Sequence, residues 1–172
     1  MKTLCLLRHG QAGRRIDLQD YDRPLTADGV EAAGGLAARL RGAGLMPGLV
    51  LCSGAKRARQ TWEAMDAQLT AEEADGLTVE LREALYLASE TRLTIALRKL
   101  PDDAQSVLLI AHNPGLHRLA RELAGPGSQA EALARLGRGF PAAGLAVLAY
   151  DAARWSDLAP GRARLTGFFD PA

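Results

Sequence analysis

The chain has 172 residues, 48% of them apolar; this predicts one globular domain over residues 1–172 and excludes an intrinsically disordered protein. The 21 basic and 20 acidic residues leave a net charge of +1, which argues against a protein that binds nucleic acid or a membrane surface. Two cysteines and the lack of a long apolar run favour a cytoplasmic protein with reduced thiols over a disulfide-rich secreted domain.

Strand-like and helix-like patterns alternate along the chain. The apolar run at residues 4–7 predicts a buried strand, and the polar loop after it leads to Thr26, the expected N-cap of a helix that ends near Gly42. The residues expected to face the core from this helix are Val30, Ala33, Ala37 and Leu40. Further strands are predicted at residues 49–52, 78–81, 107–111, 145–150 and 164–168, and helices at 58–69, 89–100, 116–123 and 130–136. This alternation predicts an α/β sandwich with a largely parallel sheet.

Chemically reactive side chains follow the predicted strands at the points where the strands end. They are Arg8, His9, Ser53, Arg57, Glu83 and His112. Because ligands of open α/β sheets bind outside the carboxyl ends of the strands, we expect these side chains to share one site.

The residue types at this edge suit the chemistry of a phosphoryl group. Two guanidinium groups can bind and neutralise a tetrahedral phosphate, and a neutral imidazole nitrogen can attack phosphorus. A second imidazole can donate to the equatorial oxygens as charge spreads over them. Gly10 lets the backbone approach the anion. Since Arg8 and Arg57 supply the positive charge, we expect no metal and no cofactor.

The tripeptide Arg8-His9-Gly10 resembles the signature of the histidine phosphatase (phosphoglycerate mutase-like) superfamily. Three further stretches resemble motifs of that family in the same order along the chain. They are Arg23-Pro24-Leu25-Thr26, the segment from Ser53 to Arg57 with Gln60-Thr61, and His112-Asn113-Pro114-Gly115. The resemblance implies a three-layer α/β/α sandwich whose six-stranded sheet has one antiparallel strand, expected at residues 145–150.

The resemblance also implies roles for individual residues. His9 would be the phosphorylated nucleophile, Arg8 and Arg57 would clamp the phosphoryl group, and His112 would complete the pocket. The expected substrate-binding residues are Arg8, Gly10, Gln11, Arg23, Ser53, Arg57 and Asn113, with a salt bridge that shapes the loop as the other interpretation of Arg23. Glu83 is the expected general acid, with a structural strand-end carboxylate as the equal alternative and Glu80 as the weaker candidate.

Within the superfamily, the chain most resembles the compact SixA-type phosphohistidine phosphatases. Only 22 residues separate Glu83 from Ser106, which leaves room for one helix and not for a helical lid. An open site favours phosphohistidine on a signalling or phosphotransfer protein as the substrate. A small phosphomonoester, such as a sugar phosphate or nucleotide, is the alternative, and a non-catalytic phosphate-binding module is the third hypothesis.

Two residues outside these motifs receive structural interpretations. Cys52 and Arg57 are one residue too close for the Cys-x5-Arg loop of cysteine phosphatases, so Cys52 is expected to be a small apolar residue in a buried strand. His117 belongs to none of the motifs and is expected to lie on a helix surface or partly buried.

Overall fold

One mixed sheet forms the centre of the molecule in the computed structural model, which describes residues 1–171. Its strands are β1 (Lys2–Arg8), β2 (Leu49–Ser53), β3 (Thr78–Arg82), β4 (Ser106–Ala111), β5 (Leu145–Tyr150) and β6 (Ala163–Phe169). They are arranged in the order β3-β2-β4-β1-β5-β6. Strands β1 to β4 pair in parallel, whereas β5 runs antiparallel to both β1 and β6. The antiparallel strand predicted at residues 145–150 is therefore confirmed.

Six α-helices connect the strands within the described residues. They are α1 (Ala27–Gly42), α2 (Lys56–Asp66), α3 (Ala71–Ala74), α4 (Glu90–Arg98), α5 (Gly115–Leu123) and α6 (Ala130–Arg138). Three 3-10 turns lie at Asp20–Asp22, Glu83–Leu85 and Trp155–Asp157. The hydroxyl of Thr26 caps α1 by accepting from the Gly29 amide at 3.0 Å, as the sequence predicted. None of the helices in this part of the chain is long and apolar enough to cross a membrane.

The helices cover both faces of the sheet, which confirms the three-layer sandwich. Successive residues of β1 alternate between the two cores: Leu4 and Leu6 belong to one cluster, and Cys5 and Leu7 to the other. Because each strand side chain points to the opposite face from the one before it, a strand covered on both faces needs an unbroken apolar run.

Two details of the predicted helices are wrong. Val30 is 45% exposed, because the buried face of α1 runs through Gly29, Ala33, Leu36, Ala37 and Leu40, and a residue adjacent to Gly29 points about 100° away from it. The helix predicted to reach residue 69 ends at Asp66. A separate short helix, α3, follows it, capped by the reciprocal hydrogen bonds of Thr70 and Glu73.

Candidate active site

Parallel pairing of β1 with β4 brings the two motif histidines together. Arg8 is the register partner of Ala111, so His9 and His112 leave adjacent strands at the same level. Their ring centroids are 5.1 Å apart, and both residues are buried, with exposed fractions of 8% and 2%. The strand-end convergence expected from the sequence is thus present in the structure.

The hydrogen bonds of His9 define which ring nitrogen is free to react. Its Nδ1 lies 2.8 Å from the Gly10 carbonyl oxygen, and a carbonyl can only accept, so Nδ1 carries the proton. Its Nε2 accepts from Arg57 Nε at 3.2 Å, which assigns the lone pair to Nε2. Burial lowers the pKa of His9 to about 4, and the positive charges of Arg57, Arg8 and Arg23 act in the same direction. His9 is therefore a neutral imidazole at neutral pH, with a nucleophilic nitrogen beside an arginine.

His112 occupies a similar environment on the neighbouring strand end. Its Nε2 lies 2.7 Å from the hydroxyl of Ser53, which is fully buried at the end of β2. Burial lowers the pKa of His112 to about 3, with further contributions from His9 and Arg57. Within the described residues, His112 Nδ1 is buried without a hydrogen-bond partner. Unpaired buried polar atoms are uncommon in folded proteins and often mark functional sites.

Three arginines surround His9. Arg57 is 2% exposed, and besides its contact with His9 it donates to the backbone carbonyl of Asp20 at 2.6 Å and to the carboxylate of Asp20 at 3.0 Å. Arg8 Nη1 donates to the Phe140 carbonyl at 2.9 Å, while Arg8 Nε is buried and unpaired within residues 1–171. Arg23 forms the salt bridge that was one of its two interpretations, at 3.0 Å from Asp20.

Sequence reasoning did not identify Asp20 and Tyr86 as site residues. The Asp20 carboxylate accepts from Arg57, from Arg23 and from the Tyr86 hydroxyl, the last at 2.5 Å. The hydrogen bond from Tyr86 and the charges of the two arginines lower the pKa of Asp20 to about 2. The Tyr86 ring meets His112 edge-on with centroids 5.5 Å apart. The sequence signal for Asp20 was its position three residues before Arg23 in the same loop, a spacing at which the two side chains can form an ion pair.

Glu83 lies on the opposite side of the site from β1, at the exposed turn that follows β3. It accepts a hydrogen bond from the Tyr21 hydroxyl at 2.6 Å. The hydrogen-bonded pair of Glu83 and Tyr21 packs directly against Gly54, in the loop that begins α2. A Cβ atom on Gly54 would come within 2.4 Å of the Tyr21 hydroxyl. The structure therefore leaves Glu83 both of its sequence-based interpretations, acid and structural carboxylate.

Glu80 is not a candidate acid, which corrects one expectation. Its carboxylate pairs with Arg82 at 2.9 Å from Nε. It lines a surface pocket with Gly48 and Pro101, and Gly48 precedes β2. That pocket lies at the amino ends of the strands, whereas His9 and His112 lie past the carboxyl ends. Glu80 and Arg82 are two positions apart in β3 and so share one face of the strand. Their ion pair keeps the Glu80 carboxylate away from the two histidines.

The remaining predicted residues lie around this centre. Gly10 donates its amide to Thr61 at 2.9 Å, and a side chain at Gly10 would come within 2.7 Å of the Gly29 carbonyl oxygen, so close packing against α1 requires this glycine. Gln11 is exposed, with its side-chain oxygen 3.4 Å from the Thr26 hydroxyl. Asn113 donates to the same Phe140 carbonyl as Arg8, at 2.9 Å.

The structural interpretations of Cys52 and His117 are confirmed. Cys52 is fully buried in β2, and burial raises the pKa of its thiol to about 12, so it is not an activated nucleophile. His117 is partly buried on α5 and donates from Nε2 to the Leu136 carbonyl at 2.8 Å.

A neutral, oriented imidazole among three guanidinium groups, at the carboxyl edge of a mostly parallel sheet, is the arrangement of a phosphatase that uses histidine. Comparison with known proteins agrees: the sequence model of the histidine phosphatase superfamily (branch 1) matches residues 4–86. The uncharacterized protein Rv1276c of Mycobacterium tuberculosis (strain ATCC 25618 / H37Rv) is 33% identical over 166 residues, covering 96% of this chain and 99% of that protein. The chain belongs to the histidine phosphatase superfamily and is a phosphatase.

Solved structures of similar proteins cover nearly the whole chain. A candidate phosphohistidine phosphatase SixA from Nakamurella multipartitia has 35% sequence identity and a TM-score of 0.82, covering 99% of this chain and 96% of that one. A candidate phosphohistidine phosphatase SixA from Agrobacterium tumefaciens has 29% identity and a TM-score of 0.77, with 99% of each chain covered. The fold is therefore that of phosphoglycerate mutase-like proteins of the compact, SixA-like kind.

Proposed function

We propose that this phosphatase removes phosphoryl groups from phosphohistidine on a protein, through a covalent phosphohistidine at His9. The observation that carries the proposal is the state of His9: neutral, with Nδ1–H bonded to the Gly10 carbonyl and Nε2 free of a proton. The likeness to the Nakamurella structure, at 35% identity, supports phosphohistidine as the substrate class.

The first step transfers the phosphoryl group to His9. Arg8, Arg57 and His112 bind its oxygens, and His9 Nε2 attacks phosphorus in line with the leaving nitrogen. The bond between phosphorus and the substrate imidazole breaks, and that imidazole, already protonated on its other nitrogen, leaves as a neutral ring. Water then attacks phosphorus, the bond to Nε2 breaks, and the proton from water goes to the released phosphate or to solvent.

The open surroundings of the site support a protein substrate. Between Glu83 and Ser106 the chain forms one 3-10 turn and α4, and α4 packs Leu93 and Leu97 into the core, so it cannot serve as a lid. A protein-borne imidazole can reach such a site. A small phosphomonoester is the second candidate, and one observation favours it: Glu83 and Tyr21 stand at the edge of the site, where an acid for an alkoxide leaving group is needed.

The test compares substrates and variants. The wild-type protein, quenched during turnover of a phosphohistidine protein, should carry acid-labile phosphate on His9, and His9→Ala should carry none while keeping its circular dichroism spectrum and melting temperature. His117→Asn is the matched control for the phosphoryl site, because His117 Nε2 bonds the Leu136 carbonyl and makes no contact with His9, and this variant should still carry the label on His9. Label on another residue contradicts the mechanism. A higher kcat/KM for phosphomonoesters than for phosphohistidine proteins would favour the second candidate.

A further inference from the structure

A cleft of 460 Å³ lies beside the phosphoryl site, on the side towards β5 and β6. It is lined in part by Arg8, Arg135, Arg138, Phe140 and Phe168. Because β1 and β4 are the central strands of the sheet and β3 and β6 its edges, this cleft and Glu83 lie on opposite sides of His9. The mechanism above uses Arg8 alone among these lining residues, so the cleft is a separate feature of the molecule.

The cleft carries an excess of positive charge. Three arginines line it against one carboxylate, Asp170. Arg135 pairs with Glu131 on its own helix, at 2.8 Å and with both side chains well exposed, a kind of pair that contributes little and exchanges partners easily. Arg138 is also exposed. Two guanidinium groups of α6 are thus accessible to an external anion.

The cleft also has an apolar wall and a direct connection to the phosphoryl site. Phe140 and Phe168 pack edge to face with centroids 5.1 Å apart. The Phe140 carbonyl accepts from both Arg8 and Asn113, the residues that adjoin His9 and His112 in sequence. A molecule whose phosphoryl group reaches His9 therefore has its neighbouring atoms beside this wall and the α6 arginines.

We propose that this cleft binds an acidic segment next to the phosphorylated histidine of a protein substrate; the inference rests on the function proposed above. The volume of the cleft is several times that of a single phosphate ion and falls in the range of pockets that bind a whole ligand. The apolar wall can pack against aliphatic parts of a peptide, while the exposed guanidinium groups pair with its carboxylates. Charge complementarity of this kind selects partners and speeds association.

The test uses two synthetic peptides of equal length, each carrying one histidine phosphorylated with phosphoramidate. One has Asp and Glu on both sides of the histidine, and the other has Asn and Gln at those positions. For the wild type we expect kcat/KM to be about three- to tenfold higher on the acidic peptide, as two partly exposed ion pairs would give. The preference should fall when NaCl is raised from low to high concentration.

Two variants and one control locate the effect. Arg138→Ala should lose most of the preference, and the double variant Arg135→Ala, Arg138→Ala should treat both peptides alike. Arg121→Ala, which changes an exposed arginine on α5, should keep the preference. Hydrolysis of p-nitrophenyl phosphate should stay within about twofold of wild type in all three variants, because this substrate has no acidic segment that could reach Arg135 or Arg138.

The outcomes separate the two proposals. If the wild type hydrolyses both peptides equally well, or if Arg121→Ala loses as much preference as Arg138→Ala, the cleft proposal is wrong while the phosphohistidine function stands. If neither peptide is hydrolysed but p-nitrophenyl phosphate is, both the phosphohistidine function and the inference built on it are overturned.

Discussion

The lowered pKa of His9 predicts that the enzyme keeps its nucleophile in mildly acidic solution. Burial and three nearby arginines place this pKa at about 4. At pH 5 about 90% of His9 would then be neutral, whereas an imidazole with an ordinary pKa near 6.5 would be only about 3% neutral. The fraction of competent nucleophile at pH 5 should therefore be about 30 times larger than for an ordinary histidine.

The assay has two parts. The first is kcat/KM on p-nitrophenyl phosphate from pH 7.5 to 4.5, corrected for the ionisation of the substrate, which titrates in the same range. The second is a nuclear magnetic resonance titration of the His9 ring in the free enzyme, with His9→Asn to assign the signal. We expect a nearly flat corrected profile down to pH 5 and a ring midpoint near 4. A midpoint near 6.5, together with about a 30-fold fall in the corrected rate by pH 5, would refute the electrostatic reasoning.

Two further predictions concern the acid and the stability of the fold. Glu83→Gln should lower kcat/KM by about 10²-fold on an alkyl phosphate if Glu83 is the proton donor, and by less than about tenfold on phosphohistidine, because an imidazole leaves without such help. A large and equal loss on both substrates would contradict phosphohistidine as the substrate, and no loss on either would make Glu83 structural. Stability should also depend on pH through His9 and His112. Their folded pKa values lie below the ordinary one, so the unfolded chain takes up protons first, and the free energy of unfolding should fall as pH drops from about 6.5 to 4. The slope should be about 1.4 kcal/mol per pH unit for each histidine. Urea denaturation of the wild type and of His9→Asn, His112→Asn measures the difference in slope; equal slopes would disprove it.

The strand-end residues could be placed from sequence because a local pattern determines them. An apolar run followed at once by Arg8 and His9, and another followed by His112, need only parallel pairing to become neighbours, and the register of Arg8 with Ala111 provides it. The same logic placed Ser53 and Arg57 correctly. The short helix α3 was not predicted, because the hydrophobic pattern does not reveal it; the spacing of Thr70 and Glu73, which form a capping box, was the signal that marks its start.

Residues that reach the site from loops were not predictable in this way. Asp20 and Tyr86 are 66 positions apart, and their hydrogen bond depends on how a turn that packs on α2 meets a turn that packs on β2. Glu80 and Glu83 were hard to separate because both lie near the end of β3 in sequence, and only their partners, Arg82 and Tyr21, show which one stands at the site. Val30 was misplaced because it keeps helical spacing with Ala33, Ala37 and Leu40, whereas the buried face of α1 passes through Gly29 at that turn.

The Asp20 carboxylate among the arginines determines the charge balance around His9 before a substrate binds. Arg8, Arg23 and Arg57 contribute three positive charges, Asp20 contributes one negative charge, and both histidines are neutral. The sum is +2, equal and opposite to the charge of a fully ionised phosphoryl group. Such a site attracts a dianion from a distance, and the occupied complex is neutral, so it exerts no net pull on a second anion. Asn at position 20 would leave an excess charge of +1 after a dianion binds. The product phosphate would then be bound more tightly and released more slowly.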